Sequence, residues 1–244
     1  MVEIKKMAVA DLEKIKYYLS NLNSLRNLRD FLAYVGYRYV NQEILISDED
    51  LSKQISIIKI AESPTDLSFP VLFVQADKPT DGRNPERYIR GLTRKIYQKL
   101  PHNLRTSLMI FSFSDFSLTH FVYAKQLERR VIFRRFIIAQ DEKIRTACER
   151  LALIKVEEGD TYSHIFDKFE EAFDREAISD EFFKKYQKTF FSIRDKLLKQ
   201  NKNREKAHLY LQIFFNRLMF IYYIQRKRWL LNNTEFVKTM WDIY

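Results

Sequence analysis

The longest apolar run of the chain extends from Leu209 to Ile224, where thirteen of sixteen residues are apolar or aromatic. Neither glycine nor proline interrupts it, so the run predicts one helix over 208–231. Because apolar residues occupy every side of this helix, the pattern favours a central helix buried by its neighbours over a surface helix with one apolar stripe. A membrane span is disfavoured, because Arg217 lies in the middle of the run and cations follow it directly.

The first 140 residues mix helical and strand patterns. Apolar residues three to four positions apart predict a helix over 10–35, and weak helix formers at 21–24 indicate a break within it. Pro85 follows the cap residue Asn84 and therefore predicts the start of a helix that reaches residue 100. Runs of β-branched and aromatic residues predict strands over 55–61, 69–76, 106–114, 118–124 and 131–139.

After Ala139 the apolar residues recur with the 3.6-residue period of a helix, and this part contains no proline and one glycine, Gly159. The pattern predicts consecutive helices over 144–154, 161–173, 179–197, 208–231 and 235–244. The predicted fold class is therefore α+β. A small sheet with flanking helices forms a first domain, 1–140, and an all-α helical bundle forms a second, 141–244.

Composition narrows the classes of protein that need to be considered. Cys148 is the only cysteine, which excludes an internal disulfide and a cysteine-based zinc site. The four histidines are scattered and lack the spacing of a helical metal pair. The N-terminal residues are charged and contain no apolar core of signal-peptide length, so we expect a cytoplasmic protein without a membrane partner.

Positive charge is concentrated in one segment of the first half. The chain has a net charge of +10, and residues 83–150 hold fifteen Lys or Arg against six Asp or Glu. Such a focus of charge favours a polyanionic partner, and nucleic acid is the usual one. The alternative is a basic face that only keeps the protein in solution.

The segment 214–230, FFNRLMFIYYIQRKRWL, resembles a helix that precedes the methyltransferase domain in fused restriction–modification enzymes of the type IIG group and related adenine-N6 DNA methylases. The resemblance rests on Asn216, Arg217, Leu218, Gln225, Arg226, Lys227, Trp229 and Leu230. Weaker similarities lie at 144–156 and 182–197. None of these segments carries a catalytic motif.

The resemblance implies the N-terminal region of such an enzyme, with a restriction-endonuclease-like core in 1–140 and a helical spacer in 141–244. A methyltransferase domain would then follow downstream or act as a partner, and S-adenosylmethionine would bind only there. Methyl transfer by this chain itself is excluded. The family's Asn-Pro-Pro-aromatic signature is absent, because Glu86 follows Asn84 and Pro85, and four glycines cannot supply a cofactor loop.

A nuclease core of this kind needs an acidic residue on one strand and an acidic-x-Lys sequence on the next, to hold Mg²⁺ and orient water. The best match for catalytic residues is Glu62 with Asp77 and Lys78. Lys78 follows Asp77 directly, however, so strand alternation points the two side chains to opposite faces. We therefore expect a degenerate core that needs no cofactor, and an active Mg²⁺-dependent endonuclease is the alternative.

Arginines recur on one face of the helix predicted at 85–100, at spacings of four, three and four. Arginine binds phosphate with two parallel hydrogen bonds, so such a row suits the backbone of double-stranded DNA. The predicted nucleic-acid-binding residues are Arg83, Arg87, Arg90, Arg94 and Lys95, with a second cluster of Arg129, Arg130, Arg134 and Arg135. A further alternative is a non-catalytic scaffold that docks a methyltransferase through 208–244.

Overall fold

The structure is a computed structural model that describes residues 9–46, 48, 51, 55–127, 130–139, 144–200, 203–227 and 229–243. The chain divides into two compact units, Met1–Phe173 and Asp174–Tyr244. The predicted change from sheet to helices at residue 140 does not coincide with this division. The first unit extends to Phe173 and so includes residues 141–173, which the sequence pattern assigns to the helical part.

The first unit contains a mixed sheet with helices on both faces. Its elements in chain order are α1 (Val9–Ser20), α2 (Leu25–Tyr34), β1 (Arg38–Glu43), β2 (Ile55–Glu62), β3 (Pro70–Ala76), α3 (Pro85–Lys99), β4 (Leu108–Phe113), β5 (Leu118–Leu127), β6 (Arg130–Ala139), α4 (Arg145–Leu151) and α5 (Tyr162–Ala172). The α+β class and the five predicted strand regions are confirmed.

The six described strands lie side by side in the order β1-β2-β3-β4-β5-β6. Neighbouring strands are antiparallel except β3 and β4, which run parallel because α3 crosses over between them. Strands β4 and β5 form a hairpin that turns at residues 115–117, where Phe116 adopts φ 51°. The short connection between the strands predicted at 106–114 and 118–124 favours this hairpin. The sheet is therefore mixed, with one parallel pair at its centre.

Each face of the sheet has its own apolar core. On one face α1, α2, α4 and α5 cover side chains that include Phe73, Ile110, Phe121 and Tyr123. On the other face α3 covers a second set, in which Met109 and Phe111 are fully buried. Alternate residues of each strand thus point to different helical layers, which fixes the side on which every strand residue lies.

Two local features of the first unit do not follow from the periodicity of the apolar residues. The break indicated at 21–24 is present, and the Ser24 side chain caps α2 by accepting a hydrogen bond from the Asn27 amide at 3.3 Å. Strand β1 was not predicted, because its sequence RYVNQE is polar and mostly exposed. Pairing with β2 holds it at the edge of the sheet.

Helices α4 and α5 belong to the core of the first unit. Helix α4 continues as a 3-10 turn over Ala152–Ile154, so the helical segment ends five residues before Gly159. Either Asp160 or Thr161 could begin the helix predicted at 161–173, and Thr161 caps α5 by accepting a hydrogen bond from the His164 amide at 3.3 Å. Phe169 of α5 stacks on Phe69 at the start of the sheet, with ring centroids 4.3 Å apart.

The second unit contains α6 (Arg175–Gln200), α7 (Arg204–Arg226) and α8 (Phe236–Ile243). Helix α6 begins four residues before the predicted start at Ser179. It ends at Gln200 and α7 begins at Arg204, so the connector between them is shorter than the predicted helices at 179–197 and 208–231 imply. Helices α6 and α7 meet through aromatic rings, with Phe215 5.4 Å from Tyr186 and 5.7 Å from Phe190. Gln225 fixes α8 by accepting a hydrogen bond from the Val237 amide at 2.8 Å.

The prediction that the late apolar helix is buried by its neighbours is wrong. In α7 the described buried residues are Ala207, Leu211 and Gln225. Large apolar side chains remain exposed along the rest of its surface, among them Tyr210 at 64 % and Phe220 at 62 %. Among the described helices of the second unit, α7 packs against α6 and α8, and two neighbouring helices leave part of its surface uncovered. Within the described residues no helix has the length and apolarity that crossing a membrane requires.

Candidate nucleic-acid interface

Helix α3 is positioned by its N-terminal cap and by its apolar side. The Asn84 side chain accepts a hydrogen bond from the Arg87 amide at 3.1 Å, and Pro85 occupies the first turn. Ile89 and Ile96 are fully buried against the sheet, and Leu92 is 4 % exposed. Because residues on the opposite side of a helix must then face away from the sheet, the arginine row points into solvent.

Three cations on the outer side of α3 have no carboxylate partner in the part of the chain that the structure describes. They are Arg87, Arg94 and Lys95, and all three are exposed. Arg90 is also exposed and lies 3.7 Å from the Glu86 carboxylate one helical turn earlier. Such a solvated pair holds its charges loosely, so Arg90 is only partly neutralised.

Arg83 lies just before α3 and is already engaged. Its guanidinium donates a hydrogen bond to the Asp81 carboxylate at 2.6 Å and lies over the Tyr88 ring, 5.3 Å from the centroid. The hydrogen bond to Asp81 raises the pKa of Arg83 further, so its charge is permanent but locally balanced. Arg87, Arg90, Arg94 and Lys95 therefore lie on the outer side of α3, with Arg83 just before the helix, and three of the five residues have no carboxylate partner among the described residues.

A histidine lies on the same side of the sheet, beneath this face. His120 of β5 is fully buried, and neither ring nitrogen has a hydrogen-bond partner among the described residues. Burial lowers the pKa of His120 to about 3, with a smaller contribution from the positive charges of Arg135 and Arg90. The ring is therefore neutral near pH 7 and adds no charge to the interface.

The described residues of the second predicted cluster are divided between the two faces of the sheet. Arg134 pairs with Tyr123 in the sheet, on the side covered by α5, and donates a hydrogen bond to the Phe173 carbonyl at 2.9 Å. Strand alternation places Arg130 on that same side. Arg135 pairs with Val122 and so lies on the α3 side. Arg129 lies outside the described residues.

The predicted catalytic residues do not form one site. In the β2–β3 pairing Glu62 is opposite Pro70, whereas Asp77 follows Ala76 at the other end of the hairpin. At about 3.3 Å per residue, some 20 Å of strand separates Glu62 from Asp77. A metal ion cannot bridge that distance, because carboxylate oxygens bind Mg²⁺ at about 2 Å.

Each predicted catalytic residue except Asp77 has a structural partner. Glu62 accepts hydrogen bonds from Lys59 at 2.5 Å and from Arg38, and these two bonds lower the pKa of Glu62 to about 2. Lys78 donates to the Asp115 carboxylate at 2.5 Å. Asp77 is exposed. A search of the described residues found no group of three or more His, Cys, Asp or Glu side chains arranged to hold a metal ion.

Comparisons with protein-family models, with curated proteins and with solved structures found no match. The described residues form an α+β protein with a six-strand mixed sheet, flanking helices and a C-terminal helical region.

Two features of the surface escaped the sequence reasoning. Arg38 belongs to the unpredicted strand β1, and its ion pair with Glu62 assigns that carboxylate a structural role. The exposure of the apolar side chains of α7 was not predicted. An apolar run indicates that a helix gains free energy when it is covered, but not whether the same chain covers it. The sequence signal that could have indicated this exposure is that apolar residues occupy all sides of the helix, more than a few neighbouring helices can cover.

Proposed function

We propose that this chain binds the backbone of double-stranded DNA through the outer side of α3, without cutting the DNA. The observation that carries the proposal is the row of exposed cations on a rigid helix, with Arg87, Arg94 and Lys95 unopposed by carboxylates among the described residues. Contacts to phosphate fix a protein on a duplex and carry no direct sequence information. Binding should therefore be similar for unrelated sequences.

We further propose that residues of the first unit form a restriction-endonuclease-like core that has lost its catalytic site. A mixed sheet in which a helix crosses over between two parallel central strands supports this topology. The separation of Glu62 from Asp77 supports the loss of activity, because the two carboxylates cannot share a metal ion.

A fluorescence-anisotropy titration with labelled duplex DNA tests the binding proposal. At low salt we expect saturable binding to two duplexes of unrelated sequence with similar Kd values, and a steep loss of affinity as salt is added. No binding at low salt would refute the proposal. A strong preference for one duplex would refute the assignment of the contacts to the backbone.

The alternative, an endonuclease dependent on Mg²⁺ or Mn²⁺, is tested by nicking of supercoiled plasmid. We expect no nicking above background in either metal. Metal-dependent nicking that Asp77→Ala abolishes would establish the alternative instead, whereas nicking unaffected by Asp77→Ala would locate a nuclease site elsewhere in the chain.

We also propose that the chain is the N-terminal region of a restriction–modification enzyme whose methyltransferase domain lies downstream or on a partner. This rests on the resemblance of 214–230 and on the α+β unit that precedes it. Sequencing of the gene beyond the codon of Tyr244 tests it. An in-frame glycine-rich loop and an Asn-Pro-Pro-aromatic signature are expected, or the same motifs in a neighbouring gene.

A further inference from the structure

Helix α7 exposes more apolar surface than a soluble helix can leave uncovered. Nine of its large apolar side chains are between 36 % and 64 % exposed: Leu209, Tyr210, Ile213, Phe214, Met219, Phe220, Ile221, Tyr222 and Tyr223. Together they offer on the order of 800 Å². This surface is distributed around the helix, and so much exposed apolar area on one element indicates that a partner covers part of it.

The side of α7 that faces away from α6 has the spacing of a helix-packing surface. Leu209, Ile213, Phe220 and the half-buried Ile224 follow one another at intervals of four, seven and four, and Asn216 fills the gap on the same side. These intervals repeat about twice in seven residues, so the side chains form a stripe along the helix. The stripe is about 22 Å long at 1.5 Å per residue.

Polar residues within the stripe restrict what can cover it. Asn216 and Arg217 are exposed on either side of the line from Ile213 to Phe220, and neither has a hydrogen-bond or ion-pair partner in the described chain. A covering surface must give Arg217 an anion, because an unpaired charge at the centre of an apolar interface is strongly unfavourable. The surroundings are also cationic, since residues 174–244 hold fifteen Lys or Arg and eight Asp or Glu.

We infer that this stripe binds an α-helical segment of another protein or domain, with an apolar face against Leu209, Ile213 and Phe220 and with carboxylates along its edge against Arg217. The stripe gives the partner helix its register, and the cation at its centre selects an acidic edge. This inference is independent of the DNA contact, because it concerns α7 and not α3.

Other occupants fit the same surface less well. A second copy of the chain would place two Arg217 side chains near the centre of one interface, where like charges repel. A lipid bilayer would have to bury Asn216 and Arg217, whereas helices that lie in a membrane surface keep one continuous apolar face. Single-stranded nucleic acid stacks on aromatic rings, but Leu209, Ile213 and Met219 present no ring.

Designed peptides test the inference on the full chain. One peptide is an amphipathic helix with leucine at the a and d positions and glutamate at e and g, and the second carries lysine at e and g. Like charges at these positions keep each peptide from pairing with itself. A third peptide contains the residues of the first in scrambled order. We expect the acidic-edged peptide to bind and the other two not to bind.

Three variants locate the binding. Phe220→Glu should weaken binding of the acidic-edged peptide by about tenfold or more, as loss of a central contact does. Arg217→Glu should reverse the preference, so that the lysine-edged peptide binds better. Tyr17→Glu is the control, because Tyr17 is 66 % exposed on α1 in the other unit, and it should change neither affinity. Circular dichroism checks that each variant keeps its helices, as expected for substitutions at exposed positions.

Several outcomes would overturn the inference. One is equal binding of the acidic-edged and lysine-edged peptides, and another is binding of neither peptide. An unchanged preference in Arg217→Glu would remove the role of that cation. A dimer in sedimentation velocity that Phe220→Glu dissolves would assign the stripe to a second copy. If the chain floated with phosphatidylcholine–phosphatidylserine vesicles and Phe220→Glu abolished this flotation, the stripe would be assigned to a membrane surface. If it bound a labelled single-stranded oligonucleotide and Phe220→Glu abolished this binding, the stripe would be assigned to single-stranded nucleic acid.

Discussion

The number of unopposed cations on α3 sets how strongly salt should weaken DNA binding. The perturbation is the double variant Arg87→Ala/Arg94→Ala, which removes two of the three exposed cations that have no carboxylate partner among the described residues. Lys95 remains. The opposite perturbation is Glu86→Gln, which removes the carboxylate 3.7 Å from Arg90 and so adds one free cation to the same face.

The magnitude follows from counterion release. Each neutralised phosphate contributes about −0.9 to the slope of log Kobs against log salt, so three contacts give about −2.7. A fourfold rise in salt should then weaken binding by the wild-type chain about 40-fold. With Lys95 alone the slope falls to about −0.9, and the same rise costs about 3.5-fold. Glu86→Gln should steepen the slope to about −3.6.

The assay measures the fluorescence anisotropy of a labelled DNA duplex at several salt concentrations, with the same type of anion in every buffer. Arg26→Ala is the matched control, because Arg26 is exposed on α2, which covers the opposite face of the sheet. Its slope should equal that of the wild type. If Arg26→Ala flattened the slope as much as the double variant does, DNA binding would depend on total charge and not on α3. An unchanged slope in the double variant would equally refute binding through α3.

Three further predictions concern stability in urea denaturation. Asn84→Ala should lower the free energy of unfolding by about 1 kcal/mol, because the side-chain cap of α3 is lost. Asn84→Asp should keep most of the stabilisation, because aspartate also caps helices. Hydrogen bonds from Lys59 and Arg38 lower the folded-state pKa of Glu62 from 4.5 to about 2. The contribution of ionised Glu62 to the free energy of unfolding is therefore complete above about pH 5 and is lost as the pH falls from 4.5 towards 2. In Glu62→Gln the free energy of unfolding should depend less on pH between pH 4.5 and 2. The same pH dependence as in the wild type would contradict the structural role of Glu62. Gly36→Ala should cost about 2 kcal/mol or more, because φ is +89° and a Cβ would lie 2.9 Å from the Val156 Cβ, whereas Gly159→Ala, with φ +86° and open space, should cost about 1 kcal/mol. Equal losses in the two glycine variants would remove the role of the close contact.

The elements of the fold follow from local signals in the sequence. The cap at Asn84 with Pro85, and the apolar residues that alternate with arginines after them, define α3 to within one residue of its observed end. The strands at 55–62 and 108–113 are recognised by their β-branched and aromatic runs. Such signals suffice because caps and periodicity act over a few residues, within which the chain has one favourable local conformation.

Long-range pairing decided whether predicted residues meet. Glu62 and Asp77 are fifteen residues apart in sequence and follow consecutive predicted strands, yet the antiparallel register puts them at opposite ends of a hairpin. Strand alternation directs the adjacent Arg134 and Arg135 to opposite faces of the sheet, but only the tertiary structure shows that α5 covers one of these faces and α3 the other. Register and layer depend on which surfaces pack together, so no local pattern contains them.

Local sequence patterns are sufficient to predict the α+β class, the cationic side of α3 and a long apolar helix, which is predicted over 208–231 and observed over Arg204–Arg226. Only the tertiary structure decided that α4 and α5 pack on the sheet, that β1 completes its edge and that α7 keeps its apolar stripe in solvent. The reason is physical. Hydrophobicity specifies that a surface gains free energy when it is covered, whereas the geometry of the folded chain specifies which surfaces its own elements reach.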